Sequence, residues 1–228
     1  MTRFYIFCGM KYGWLLLFLV YSHVGRLHGQ INIKVGYGLG FPQLSMIDDL
    51  LSGYQPVGGE VVESFGSLGF IHGIQLGLRY RIANTGLEVG WETMSRDRSA
   101  LIFESSNDSF TDRTYSFGIN SIHIGVEHYF DRYGLGVALH SQKLGIERPI
   151  GNNDLVLADQ RKGALRFMFI WQVQESDSVA LMIKPYYQIP LASHDITRFA
   201  DELGTAALRD DSLSMFGLSF VFYNGLQR

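Results

Sequence analysis

The chain has 228 residues, of which 46% are hydrophobic, 14% aromatic and only 18% charged, and its formal net charge is −3. The absence of a basic patch argues against a nucleic-acid partner, and no segment approaches the about 18 consecutive apolar residues of a membrane-spanning helix. Abundant glycine and aromatic residues beside few prolines favour an all-β chain over a helical bundle.

The N-terminus, residues 1–29, has the pattern of a cleaved secretory signal peptide. Arg3 and Lys11 give a positively charged segment, and the apolar run WLLLFLV follows at 14–20. This run is too short to cross a bilayer as a helix. We therefore expect export rather than anchoring by this segment.

Cleavage is expected after Gly29, with cleavage after Ser22 as the alternative. Removal of this segment takes away Cys8, the only cysteine of the chain. The mature domain, 30–228, is therefore expected to use neither disulfides nor thiol chemistry.

Apolar and small or polar residues alternate in eight segments of the mature chain, and this period of two predicts β-strands. The predicted strands are 31–41, 69–82, 86–94, 114–130, 134–144, 163–174, 179–191 and 214–223. Most exceed the five or six residues usual for soluble strands and suit a tilted membrane crossing.

The alternation slips in the fourth predicted strand. Its apolar residues shift from Tyr115, Phe117 and Ile119 to Ile122 and its successors, so we expect a β-bulge near Asn120.

Short and long connections alternate along the chain. The short ones are ANTG, DRYG and ESDS, and the long ones are 42–68, 95–113, 145–162 and 191–212. This rhythm predicts an all-β, eight-stranded antiparallel up-and-down transmembrane β-barrel with short periplasmic turns and long extracellular loops. A secreted soluble β-sandwich is the alternative.

The two faces of the strands decide between these folds. One face carries aliphatic and aromatic residues, which in a barrel meet lipid and in a sandwich form the core. The residues predicted to face the membrane are Phe70, Tyr80, Trp91, Phe130, Phe167, Phe169, Trp171, Phe216, Phe220 and Phe222.

The other face combines many glycines with ionisable residues. Eight strands enclose only enough space for side chains to fill, and buried charges there must pair. The predicted polar network of the lumen is Lys34, Arg79, Arg81, Glu88, Glu92, Glu127, His140, Arg166 and Lys184.

Three stretches resemble the small outer-membrane β-barrel proteins of Bacteroidota, which share the form of OmpA-like and OmpX-like barrels. They are Gln30 after the expected cleavage site, KPYYQIPL at 184–191, and GLSFVF at 217–222. The resemblance implies location in the outer membrane of a Gram-negative bacterium, with outer-membrane lipid as a partner.

The last stretch resembles the signal that the barrel-assembly machinery reads, so that machinery is an expected partner of strand 213–223. Met215 and the continuation YNGLQR beyond Phe222 depart from the family pattern. An envelope protein complex is a further expected partner, whereas nucleic acid is not.

Catalytic and metal sites are not expected. His140 and Ser141 are adjacent, so a strand directs them to opposite faces, and a base must reach its nucleophile. His72 and His123 have no partner at metal-ligand spacing, and the acidic pairs at 48–49 and 210–211 supply no ordered calcium ligands. We predict no cofactor and no enzymatic activity.

Two loop segments have helical apolar spacing, at 46–51 and 196–208. Packing over the barrel mouth is the favoured interpretation, and a surface for an envelope partner, lipid or polysaccharide is the alternative.

The sequence thus predicts a non-enzymatic outer-membrane barrel with a filled lumen, acting through its surface loops or within an envelope complex. The alternatives are a narrow pore or transporter for small or hydrophobic compounds, a lipid-modifying enzyme, and a secreted binding module.

Overall fold

Eight long strands dominate the computed structural model, which describes residues 29–151, 153–176, 178–205 and 209–224. The elements are β1 (Gln30–Gln43), α1 (Ser45–Ser52), β2 (Gly59–Glu63), β3 (Ile71–Ile82), β4 (Thr85–Glu104), β5 (Ser109–Phe130), β6 (Tyr133–Ile150), β7 (Asn153–Glu175), β8 (Val179–Pro190), β9 (His194–Asp195), α2 (Thr197–Glu202), β10 (Asp210–Asp211) and β11 (Ser214–Asn224). Apart from Gly29, the predicted signal peptide lies outside the described residues.

The long strands pair in chain order as β1, β3, β4, β5, β6, β7, β8 and β11. Every pairing is antiparallel, and the ring closes because β11 pairs with β1, with Val35 opposite Phe222 and Phe41 opposite Phe216. A closed ring has no free edge within its wall, which protects the sheet from pairing with other chains. The short strand β2 pairs with the last residues of β4, Leu101 to Glu104.

Two of the predicted long loops, 95–113 and 145–162, are in fact mostly strand. The hairpin β4–β5 turns only at 105–108, and β6 ends at Ile150 just before β7 begins at Asn153. Asp108 and Gly151 have positive φ values of 53° and 61°, as tight turns require. These extensions were not predicted because a strand that leaves the apolar layer no longer needs alternating apolar residues. We call them the β4–β5 and β6–β7 ribbons.

The bulge predicted near Asn120 is wrong. Asn120 lies opposite Thr93 on one side and Lys143 on the other, and both registers continue unbroken through it. The apolar pattern shifts because the strand's surroundings change, not its pairing. Register irregularities instead occur at 61–63, at 146–147 and at 172–174.

The barrel has its apolar side chains outside and its charged ones inside. Ile124 is 64% exposed and Phe130 56%, whereas Arg79 and Glu127 are fully buried. Only a lipid environment makes this arrangement favourable, since it removes the outer side chains from water. The fold is therefore an eight-stranded transmembrane β-barrel, and the predicted fold class is confirmed. Within the described residues, no helix is long and apolar enough to span a membrane.

Candidate functional site

The predicted polar residues lie on the inner face of the barrel. Lys34, Arg79, Glu88, Glu92, Glu127, His140, Arg166 and Lys184 are all buried. Arg81 is half-buried at the short-turn end, where its Nε donates to the Ala83 carbonyl at 3.0 Å and its guanidinium lies 4.4 Å from the Tyr129 ring centre.

Further polar residues, which the sequence analysis did not assign to the network, also lie inside. They are Asn32, Gln75, Ser121, His123, Tyr129, Gln142, Gln172, Gln188, Ser219 and Tyr223. All except Ser219 and Tyr223 share a strand and its parity with a residue of the predicted network, so strict alternation would have found them. Ser219 and Tyr223 lie on β11, where the network had no predicted member, but they alternate with the outward Phe220 and Phe222.

Glu88 is the centre of the lower cluster, which lies nearer the end of the barrel that carries the short turn at 83–84. Its Oε1 accepts from Lys34 Nζ at 2.6 Å and contacts His123 Nε2 at 3.1 Å, and its Oε2 accepts from Lys184 Nζ at 3.1 Å. Tyr223 also donates its hydroxyl to Glu88. Because each carboxylate oxygen has a charged or polar donor, the desolvation of the carboxylate is offset.

Glu127 extends this cluster. It accepts from Lys184 and from the hydroxyl of Tyr129. Tyr129 in turn accepts from Arg79 Nη1 at 2.7 Å, and the Arg79 guanidinium lies 3.7 Å from the centre of the Tyr223 ring. The cluster therefore ties β1, β3, β4, β5, β8 and β11 together through side chains alone.

Glu92 and Arg166 form the upper cluster. Arg166 donates hydrogen bonds to both carboxylate oxygens of Glu92, with Nη1 2.9 Å from Oε2. Its Nε donates to Gln188 Oε1 at 3.0 Å. Gln75 donates to Glu92 at 2.9 Å, and the Arg166 guanidinium stacks 4.0 Å from the Tyr186 ring centre. This bidentate geometry is the strong form of a charge-assisted hydrogen bond.

Glycine makes room for these side chains. A Cβ at Gly90 would lie 2.7 Å from the His123 ring, closer than atoms in proteins approach. The His123 ring stacks on His140 at 4.7 Å between centres. Glycine on one strand thus accommodates an imidazole from its neighbour.

An apolar cap closes the lumen above this network. Its buried residues include Ile47, Leu50 and Leu51 of α1, Phe199 and Ala200 of α2, and the inward residues Tyr115, Phe117 and Ile119 of β5. Phe199 packs edge-on against Tyr115 and Phe117, with ring centres 5.3 and 5.8 Å apart. The predicted helical segment 46–51 lies within α1. The segment 196–208 forms only the short α2, and 206–208 lie outside the described residues.

Polar contacts hold the cap in place. Asp211 accepts from the Ile47 amide at 3.0 Å, which ties β10 to α1. Asp48 accepts from the Leu68 amide at 2.6 Å. Arg148 of the β6–β7 ribbon pairs with Glu202 of α2. The acidic residues at 48 and 211 therefore bind backbone within the cap.

Two buried titratable groups face each other in the cap, since His194 lies opposite Asp211 in the pairing of β9 and β10. Burial, with a smaller contribution from nearby Lys162, lowers the pKa of His194 to about 4, so the imidazole is neutral. Burial raises the pKa of Asp211 above its usual value, although backbone amides oppose this effect.

His140 contacts a serine, but not its neighbour in sequence. Ser141 points outward, as alternation predicts, whereas Ser121 Oγ lies 3.3 Å from His140 Nδ1. Ser121 and His140 are each only 1% exposed. A substrate cannot reach these two buried side chains, so the short distance between them does not make a catalytic site.

The predicted membrane-facing aromatics all lie on the outer side. Phe70, Trp91, Phe130, Phe167, Phe169, Trp171, Phe216 and Phe222 are exposed, and Tyr80 and Phe220 are half-exposed. Phe167 and Trp171 alternate with the buried Arg166 and Ile170, which separates the two faces of β7.

Comparison with solved structures finds small outer-membrane barrels. The alignment with neisserial surface protein A covers 87% of this chain and 99% of that protein, at 11% sequence identity and a TM-score of 0.46. Ail of Yersinia pestis, solved with the heparin analogue sucrose octasulfate, covers 86% and 98% at 13% identity and a TM-score of 0.47. The outer-membrane protease OmpT of Escherichia coli covers 87% and 96% at 7% identity and a TM-score of 0.31.

Likenesses of this strength carry no statement about function. No family model matches the chain, and no curated protein matches it.

Proposed function

We propose that this protein is a non-enzymatic, non-conducting barrel of the outer membrane of a Gram-negative bacterium. It presents the β4–β5 and β6–β7 ribbons and the cap at the cell surface. It acts through that surface or as a component of an envelope complex.

The sealed lumen carries this proposal. Two ion clusters fill the interior, and the apolar cap covers them. Arg79 and Glu127 are 0% exposed, and Glu92 and Lys184 are 1% exposed, so these side chains have almost no contact with solvent. A hydrated ion would have to displace paired charges whose separation is costly. This supports a structural barrel over a narrow pore.

The apolar outer band and the expected signal peptide support this location. Closed barrels whose strands alternate apolar outward and polar inward belong to outer membranes. The stretches at Gln30 and 184–191 support an origin in Bacteroidota. The strand 213–223 supports recognition by the barrel-assembly machinery before β11 closes onto β1.

The buried Ser121 and His140 support the absence of catalysis. A nucleophile and its base need access to a substrate carbonyl or phosphate as well as to each other. These two side chains face the interior below the cap and meet other lumen side chains instead.

Two measurements test the proposal. Outer-membrane extracts run on gels with and without boiling are expected to show a mobility shift, as a detergent-resistant barrel would. Purified protein in planar bilayers is expected to give no channel steps. A variant with residues 194–211 replaced by a glycine-serine linker serves as the comparison for the cap.

The outcomes separate the hypotheses. Export in soluble form without a mobility shift would reject the barrel in favour of a secreted module. Steady conductance by the unmodified protein would reject the sealed lumen in favour of a pore. Conductance by the linker variant alone would show that the cap closes the lumen. Absence of conductance by both proteins would show that the ion clusters close it.

A further inference from the structure

Two cations lie opposite each other on the outer wall of the barrel. Lys143 of β6 and Arg161 of β7 are direct cross-strand partners. Both have the outward parity of their strands, Arg161 is exposed and the Lys143 side chain is 38% exposed. Like charges directly opposite each other in a sheet are destabilising. Their juxtaposition therefore requires an explanation.

Asp159 offsets the repulsion only in part. Its Oδ1 lies 2.8 Å from Lys143 Nζ, but its side chain is 52% exposed. Exposed ion pairs contribute little because water competes for both groups. One carboxylate also faces two cations, which leaves the group with a net positive charge.

The pair lies just above the apolar band. Along the β6–β7 pairing, Leu139 is opposite Leu165, the next outward pair is Ser141 with Gly163, and the one after that is the cation pair. Leu191, at the end of β8, is 62% exposed and packs beside Gly163, where a Cβ would lie 3.2 Å from its Cδ1. Apolar surface therefore continues to within one rung of the charges.

The corresponding outward pairs elsewhere on the wall do not bring two cations together. At the upper margin of the band, β4 and β5 present the uncharged pair Thr93 and Asn120, and β1 and β11 present Gln43 and Ser214. Arg96 is a further cation near this margin, 4.3 Å from the centre of the Phe70 ring, but its partner on β5 is Phe117. The direct pairing of two cations at β6–β7 therefore differs from these positions.

We propose that Lys143 and Arg161 bind the phosphate group of a lipid in the outer leaflet, with Leu139, Leu165 and Leu191 contacting its acyl chains. A phosphate relieves the repulsion between the cations, and the arginine fork matches its oxygens. Leu191 covers Gly163, whereas the small, exposed Ser141 leaves space for the headgroup between the cations and the apolar surface. This inference rests on the proposed function, because it assumes that the ribbon end faces the outer leaflet.

The test uses full-length mature protein in detergent micelles containing bisphosphorylated lipid A or the same lipid dephosphorylated by phosphatase. Binding is followed by the rise of the thermal midpoint with lipid concentration. The unmodified protein is expected to prefer the phosphorylated lipid. Lys143→Gln with Arg161→Gln is expected to weaken its binding about 30-fold, at about fivefold per cation.

Matched variants supply the controls. Asp159→Asn removes the competing carboxylate and is expected to bind the phosphorylated lipid at least as tightly. Arg132→Gln removes an exposed cation from the turn at the opposite end of the barrel and is expected to change nothing. Each variant is first required to show the gel mobility shift of the folded barrel.

The outcomes distinguish the inference from its premise. Equal binding of both lipids, or unchanged preference in the double variant, overturns the phosphate site. Equal protection by inorganic phosphate, lost in the double variant, overturns the lipid as ligand in favour of a free anion. Absence of the mobility shift in the unmodified protein rejects the proposed function itself.

Discussion

Arg166 on β7 holds both carboxylate oxygens of Glu92 on β4, with Nη1 2.9 Å from Oε2, although these strands are not neighbours in the ring. The ion pair therefore connects β7 to β4 across the lumen. Arg166→Met leaves the Glu92 carboxylate buried without its charge partner, and is expected to lower the free energy of unfolding by about 3–5 kcal/mol. Urea unfolding in detergent micelles measures this.

The double variant Arg166→Met with Glu92→Met is the control for this first prediction. It removes both charges together, so it is expected to recover most of the lost stability. Equal destabilisation in the single and double variants would mean that packing volume, rather than charge pairing, holds the upper cluster.

Gly90 gives a second prediction. Gly90→Val places branched carbon against the His123 ring, which a Cβ would approach to 2.7 Å, and is expected to cost about 1–3 kcal/mol. Gly118→Ala is the matched control, because a Cβ there meets nothing within 4 Å. His123→Ala is expected to restore Gly90→Val in part. The same unfolding measurement detects all three effects.

The outward face gives a third prediction. Phe167→Arg places a charge on the lipid-facing side of β7 and is expected to cost about 2–4 kcal/mol near the midplane of the bilayer. Phe110→Arg on the β4–β5 ribbon, where Phe110 is 64% exposed beyond the apolar band, is expected to be nearly neutral. Refolding yield and unfolding in lipid vesicles compare the two. Similar effects would contradict the assignment of the band.

The cap gives a fourth prediction. Phe199 is fully buried against Tyr115 and Phe117, so Phe199→Ala is expected to destabilise the cap by about 3–5 kcal/mol. Hydrogen exchange is expected to accelerate in α1 and α2 but not in barrel strands. Asp201→Ala, at an exposed position of α2, controls for helix propensity. Acceleration throughout the barrel would show that cap and wall unfold as one unit.

His194 gives a pH dependence. Its pKa falls by burial from 6.5 to about 4, so between these values the unfolded cap binds a proton that the folded cap does not. The contribution of the neutral imidazole is complete above pH 6.5 and declines as pH falls to 4, with cap opening increasing by at most about tenfold per unit. Hydrogen exchange in α2 at pH 7 and pH 5 measures this.

His194→Leu is expected to remove that dependence. Asp211 acts in the opposite sense, because a raised pKa means that protonation favours the folded cap and that its contribution declines as pH rises through that pKa. A stabilising effect of acid in the unmodified protein would therefore assign control to Asp211 instead of His194.

The outer wall was the easiest part to predict. Ile33, Leu78 and Phe167 face lipid, and a lipid-facing row needs only alternation to be recognised. Strand parity also placed Arg166 and Glu88 inside. Both inferences depend on the backbone period of two, which requires no knowledge of neighbouring strands.

The ribbons and the continuous β5 could not be predicted in the same way. Tyr115 and Phe117 share the inward parity of Ser121 and His123, but they meet the cap rather than the ion clusters. The resulting change of polarity along one face looks like a bulge in sequence. Only the position of α2 above the barrel shows that the face has two environments.

The sequence by itself determined the number of strands in the barrel wall, the two faces of each strand and the identity of most buried charges, because each is a local property of the chain. The tertiary structure decided which charges meet. Arg166 reaches Glu92 across the lumen, and His140 meets Ser121 rather than Ser141. These pairings depend on ring closure and strand register, which bring together residues 74 and 19 positions apart, and no period in the sequence encodes such distances.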